Sequence, residues 1–311
     1  MPFLRDFNNW GKLLYREMAA MDEFDFCYEE KGLLYLFRTP KAQRAQEETV
    51  DQAQTLGVDA RFLSAAEVQQ LEPGIRLDVL GGVYYPNDAH LYPDRLMEQL
   101  ASALRRRGVR FLARREATGL RTEKGKVRSL LLNGGETVDV DQVVLAGGSW
   151  SAQLLRQLKL KMSMQDGKGY SFTLRNAALR PGIPTLFAEA KVAVTPMGSD
   201  LRIGGTLEIS NHDPAIHRSR LEGILASVPA YYPELKVDLP ALETVWHGYR
   251  PCTPDGLPYI GRYPSVKNLI IATGHAMMGI TQGPATGKLV SELLTAQKTT
   301  LDIGLLAPGR F

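Results

Sequence analysis

Two apolar stretches that each run into glycine constrain this chain most: "QVVLAGGSWS" and "NLIIATGHAMMGITQGPATGKLVSELL". Each reads as a buried strand, a glycine turn and a helix, the unit from which α/β sheets are built. The residues between them read differently. "KGYSFTL", "PTLFAEAKVAVTPMGSDLRIGGTLEIS" and "LETVWHGYRP" are short strand-like runs joined by tight turns, which predicts an antiparallel sheet. "HDPAIHRSRLEGILASV" supplies a helix to cover it. The two patterns alternate along the chain, so two interleaved domains are expected rather than two sequential ones.

The first 88 residues mix helix and short strand. Leu4, Phe7, Leu14 and Met18 fall near helical spacing. "GLLYLFRT" reads as a strand, and "PKAQRAQEETVDQAQTLG" as an exposed polar helix ending at Gly57. Ser64 and Glu67 have the spacing of a capping box, and Pro73-Gly74 ends that helix. "GGVYYPNDAHLYP" follows as an aromatic strand and loop. Leu96, Leu100 and Leu104 then share one face of a helix stopped by Gly108. "VRFLAR" is expected to be a strand, and "GLRTEKGKVRSLLLNGGETVDVD" a hairpin within an inserted meander.

Composition excludes several functions. The 311 residues are 44% hydrophobic, with a net charge of +3, too small to imply nucleic-acid binding. The two cysteines, Cys27 and Cys252, form no CxxC pair, which fits a reducing compartment. No metal signature accompanies His212 and His217, so no metal is expected. No apolar run of ~18 residues predicts a membrane span, and the first residues lack a signal peptide's apolar core. A cytoplasmic protein is expected. The cluster Arg105-Arg106-Arg107 with Arg114-Arg115 reads either as a solvated helix end or as peripheral contact with anionic lipid at the inner face of the plasma membrane.

Four segments can carry chemistry. Gly147 and Gly148 close a strand at the end where nucleotides bind in α/β folds, or make an ordinary turn. Gly274, Gly279 and Gly283 surround a helix start whose N–H groups and dipole suit a phosphate or a ring oxygen that gains charge. His275 in that loop is either a contributor or a histidine with a satisfied hydrogen bond. Arg250 ends a strand carrying Trp246, His247 and Tyr249. Its guanidinium suits a bidentate grip on a carboxylate, or a structural ion pair with an acid such as Asp255. Tyr170 either adds a phenol to a substrate pocket or belongs to the core.

Taken together, "WHGYRPCTPDGLPYIG", "NLIIATGHAMMGITQGPATGKLVSELL", "DAHLYPDRLMEQLASALRRRGVRF", "VVLAGGSWS", "DGKGYSF" and "AEAKVAVTPMGSDLRIGGTLEIS" resemble, in order, the FAD-dependent amine oxidoreductases. That family includes D-amino-acid dehydrogenase, glycine oxidase and sarcosine oxidase, and the nearest resemblance is to D-amino-acid and D-proline or D-hydroxyproline dehydrogenases. The resemblance implies an α/β fold in which an FAD-binding Rossmann-like domain is interleaved with an antiparallel substrate domain. Residues 1–88 and 165–249 would build the substrate domain, and residues 89–164 and 250–311 the FAD-binding domain. It implies FAD as cofactor, a small amino acid as substrate, and a quinone or oxygen as electron acceptor. Arg250 would hold the substrate carboxylate, with Tyr170, His247 and Tyr249 shaping the pocket. Gly147, Gly148, Trp150, Gly274, His275, Met278, Gly279, Ile280 and Thr281 would line the cofactor, with Gly279 needed for close backbone approach. The implied reaction moves the α-hydrogen of a D-amino acid or cyclic imino acid as hydride to flavin N5, giving an imine.

The sequence departs from the family in one respect: it contains no GxGxxG. The domain is therefore expected to be incomplete and to bind FAD weakly. The alternative to an enzyme is a non-catalytic fragment, or a subunit that needs a separate N-terminal FAD-binding piece.

Overall fold

The computed structural model describes residues 2–209 and 212–311. Helix α1 (Pro2–Ala19) leads to strand β1 (Leu33–Phe37), α2 (Pro40–Thr55), β2 (Arg61–Ser64), α3 (Ala65–Leu71) and β3 (Gly81–Tyr85). Helix α4 (Pro93–Arg106) precedes β4 (Ala117–Glu123), β5 (Lys126–Leu132), β6 (Thr137–Asp139), β7 (Val143–Leu145) and α5 (Ser151–Gln157). Then come β8 (Gln165–Leu174), β9 (Thr185–Phe187), β10 (Ala193–Met197), β11 (Asp200–Ile209) and α6 (Arg218–Tyr231). Strands β12 (Trp246–Cys252), β13 (Tyr259–Arg262) and β14 (Leu269–Thr273) precede α7 (Gly279–Leu294). The result is a mixed α/β fold.

Eight strands form one sheet in the order β12-β8-β11-β10-β9-β1-β3-β2. All its pairings are antiparallel except β1 with β9. Strand residues alternate between faces. One face carries Tyr170, Phe172, Val194, Leu201 and Ile203, which pack with Leu221, Ile224 and Val228 of α6 into the largest core. The other face carries Ser171, Gly169, Arg202, Gly204, Trp246, Gly248 and Arg250, as the register of β8 with β11 and β12 requires. Strand β12 belongs to this sheet as far as Cys252, three residues past the expected end of the antiparallel segment at 249.

Three strands, in the order β13-β14-β7, make the smaller sheet, with β14 and β7 parallel. The expected hairpin is a three-stranded meander, β4-β5-β6. Residues 109–114, expected as a strand, are turn and irregular chain, with Val109, Phe111 and Leu112 exposed. The reason is pairing: β7 bonds only β14, and no described strand offers a partner beyond it. The capping box at the start of α3 is present, with the Ser64 hydroxyl and the Glu67 carboxylate each accepting from the other's backbone N–H.

Helix α1 does not pack on the large sheet, as its place in residues 1–88 suggested. Phe7 lies in a cluster with Leu257, Ile260, Ala285 and Leu289, beside α7. The helices meet closely because Gly11 has no side chain: a β-carbon there would stand 2.0 Å from the Thr281 carbonyl oxygen. Tyr15 donates its hydroxyl to the Ile280 carbonyl at 2.8 Å, so α1 also fixes the first turn of α7. Replacing Gly11 with alanine forces the helices apart. The expected loss is about 1–3 kcal/mol, read as a lowered denaturant midpoint; an unchanged midpoint would contradict this packing.

Candidate active site

Arg250 lies flat on the sheet. A β-carbon at Gly169, on the neighbouring strand, would come within 1.9 Å of its Nη1, so only glycine leaves room for the guanidinium there. Nη1 donates to the Thr206 carbonyl at 3.3 Å. Thr206 sits in a bulge where β11 slips register against β8, and its φ is +65°, a strained value for a β-branched residue. Beside Arg250, Arg202 donates to the Ser171 hydroxyl at 3.0 and 3.3 Å and faces the Trp246 ring at 5.7 Å. Both arginines are half-buried. Burial pulls the Arg250 guanidinium below its ordinary pKa, and the charge of Arg202 adds to the shift. Burial acts on Arg202 in the same direction, opposed by Asp94 at a distance. Guanidinium nevertheless stays charged at neutral pH.

The alternative of an ion pair to Asp255 does not hold. Asp255 takes Arg310 in a bidentate pair at 2.9 and 3.0 Å. Among the described residues, no carboxylate pairs with Arg250 or Arg202.

A cavity of about 410 Å³ reaches this face at Thr195, and neither Arg250 nor Arg202 is among its lining residues. Thr195, opposite Arg202 in the β10–β11 register, and Met197 form one wall. Asn8, Lys12 and Tyr15 of α1 form another, and His90 lies beside them with its Nδ1 buried and unpartnered. Met278, Ile280 and Thr281, at the start of α7, close it. No side chain caps that helix, so its first N–H groups remain free to meet negative charge. Ser149 and Ser151, in the turn after β7, also hold buried hydroxyls without partners. The cavity lining mixes polar and apolar groups, and the bare helix start at its edge suits a planar ring with anionic character, as flavin has.

Several residues singled out from sequence lie elsewhere. Tyr170 is on the α6 face, buried, with its hydroxyl donating to Glu208 at 2.9 Å. The core reading of Tyr170 therefore fits its position. His247 and Tyr249 share that face by strand alternation, so they do not join Arg250. Instead Tyr249 meets Trp150 edge-on at 5.8 Å, with His212 packed against both. Glu208, Asp213 and His217 converge nearby, but the buried Lys168 ammonium already lies 3.7 Å from Glu208 and 3.9 Å from Asp213.

The loop before α7 differs in detail too. Gly279 has no positive φ, and a β-carbon there would meet only His275 at 3.7 Å, an ordinary contact. The constrained glycine is Gly274, with φ +85° and Thr253 2.7 Å from its would-be β-carbon. Gly148 also has positive φ, and Gly147 precedes it in a normal conformation. The His275 ring turns inward and bonds Thr286 at 2.9 Å. Arg106 and Arg107 both pair with Glu23, and Arg105 covers Phe111, so the basic cluster is largely engaged within the chain. Sequence reading missed Arg202, though "DLRIGG" carried the signal: a cation between two apolar residues must face away from them.

The geometry matches known proteins. Residues 3–293 match the FAD dependent oxidoreductase family (DAO), and the chain belongs to it. It is 32% identical over 303 residues to a D-amino acid dehydrogenase of Granulibacter bethesdensis, spanning 93% of this chain and 70% of that protein. A D-amino acid dehydrogenase of Vibrio vulnificus is 31% identical over 302 residues, covering 96% of this chain and 72% of its own. Among solved structures, glycine oxidase from Geobacillus kaustophilus superposes with a TM-score of 0.88 at 25% identity, over 100% of this chain and 83% of that one. The chain is thus an FAD-dependent oxidoreductase acting on amino acids. No helix among the described residues is long and apolar enough to cross a membrane.

The buried His275 gives a pH prediction. Burial lowers its pKa from 6.5 to about 4. Between those values the unfolded chain binds a proton that the folded chain refuses, so stability falls as pH drops through that window. Against a His275→Gln variant, the wild type should lose up to about 3 kcal/mol from pH 6.5 to pH 4. Parallel stability curves in urea would show that the ring is solvated.

Proposed function

We propose that Arg250 binds the carboxylate of a small D-amino acid or cyclic imino acid and presents its α-hydrogen for oxidation. The observation that carries this is a half-buried guanidinium without a carboxylate partner, on the sheet face that also carries Thr195, a residue of the cavity beside α7. A bidentate carboxylate would satisfy the donors that now have only the Thr206 carbonyl. Gly169 and Gly248 keep the floor flat, and the exposed Trp246 ring folds over Gly248. With the carboxylate fixed, orientation of the α-carbon follows, and this is the chain's main catalytic contribution.

FAD supplies the two-electron acceptor for the α-hydrogen. Met278, Ile280, Thr281 and the bare start of α7 would hold its ring, with Gly147 and Gly148 on the turn after β7 as a second wall. The free N–H groups of α7 would favour negative charge on a ring held there. No general base is assigned, since the amine can arrive deprotonated. A quinone or oxygen then takes the electrons.

Arg250→Met should lower kcat/KM by roughly 10²–10³-fold, because a buried carboxylate would be left without its partner. Flavin absorbance per polypeptide should match the wild type. Unchanged turnover at low amino-acid concentration would remove Arg250 from the site.

A further inference from the structure

The substrate face holds two cations where one carboxylate needs only one. Arg250 rests on Gly169 and Arg202 on Ser171. These positions on β8 are two residues apart and on the same face, a step of about 7 Å. Both guanidiniums are half-buried, the charge of Arg202 adds to the cost of keeping Arg250 charged, and each bonds only neutral oxygen. Asp94 acts on Arg202 without forming an ion pair, and it belongs to α4. Between the two arginines the floor is glycine and serine, and the Trp246 ring lies over Gly248 beside it, so a ligand that spans them packs against that ring. Thr195, opposite Arg202, opens the same end of the face into the cavity, which gives an extended side chain room.

We infer that Arg202 is a specificity-determining residue, and that the preferred substrate is an amino acid with a second carboxylate: its α-carboxylate on Arg250 and its side-chain carboxylate on Arg202. The inference rests on the proposed role of Arg250 in holding the α-carboxylate. A neutral side chain leaves Arg202 desolvated and unpaired, whereas an acidic one satisfies both cations and keeps the Ser171 hydroxyl as an additional donor. Trp246, against the Arg202 guanidinium, covers the aliphatic part of the ligand. The two ends of the substrate are then fixed separately, which sets the direction of the α-hydrogen more strictly than a single anchor does.

The test separates binding from turnover. The FAD-loaded protein is titrated with succinate and with butyrate, which differ by one carboxylate, and binding is read by calorimetry. Succinate should bind at least about tenfold more tightly, the gain of one charge-assisted pair. The ratio should fall toward one in Arg202→Met and recover in part in Arg202→Lys. In parallel, kcat/KM for D-glutamate should exceed that for D-glutamine by a similar factor, and Arg202→Met should erase the difference. Equal binding of the two acids, or a ratio insensitive to Arg202, overturns the inference. Selective succinate binding without oxidation of any amino acid would leave the paired-arginine site standing and defeat the oxidation reading instead. Should Arg202→Met fold poorly, Arg202→Lys and the wild-type ratios decide the question.

Discussion

The site depends on a guanidinium held partly out of water without a counter-ion. Placing a cation in that position costs several kcal/mol unless an anion joins it. The fold meets the cost with two devices. Gly169 lets the Arg250 plane lie against the backbone, and the bulge at Thr206 turns a carbonyl toward it. The threonine adopts a conformation that its side chain disfavours, a form of strain that persists only where the surroundings enforce it. A carbonyl is a weak substitute for a carboxylate, so Arg250 retains most of its appetite for an anion.

The remaining structure brings the smaller sheet to this face. Helix α1 reaches across to α7 through Gly11 and Tyr15, fixing the helix start that borders the cavity. On the opposite side of the large sheet, the Tyr249–Trp150–His212 cluster ties β12 to the turn after β7. Two separate contacts thus set the distance between the Arg250 face and the turns that would line the flavin. Tyr249 and Trp150 have a role in this reading, but it is to join the two sheets rather than to touch the carboxylate.

What the sequence revealed was what local chemistry decides. Helices with caps and periodic faces, such as α3 and α4, were readable because their signals lie within a few residues. The strand-turn-helix units at Gly147 and Gly274 were readable for the same reason. The segment 109–114 was not, because a strand exists only with a neighbour to bond. The partner of Asp255 is Arg310, 55 residues away, and nothing local points to it. Residue type misled where face decides: Tyr170, His247 and Tyr249 are suitable pocket residues, yet alternation along β8 and β12 turns them from Arg250. The same alternation, applied to Leu201 and Ile203, would have placed Arg202 beside it. The bulge at Thr206 had no signal, since a β-branched residue argues against positive φ.

The central claim is that the substrate carboxylate binds on the glycine face at Arg250. A crystal structure of the FAD-loaded protein with D-lactate, a carboxylate lacking the amine, tests it directly. The account predicts two carboxylate oxygens at about 2.7–2.9 Å from the Arg250 guanidinium, above Gly169, with the α-carbon facing the start of α7. A carboxylate found on the opposite face, among His247, Tyr249 and His212, with Arg250 still bound only to Thr206, would contradict it.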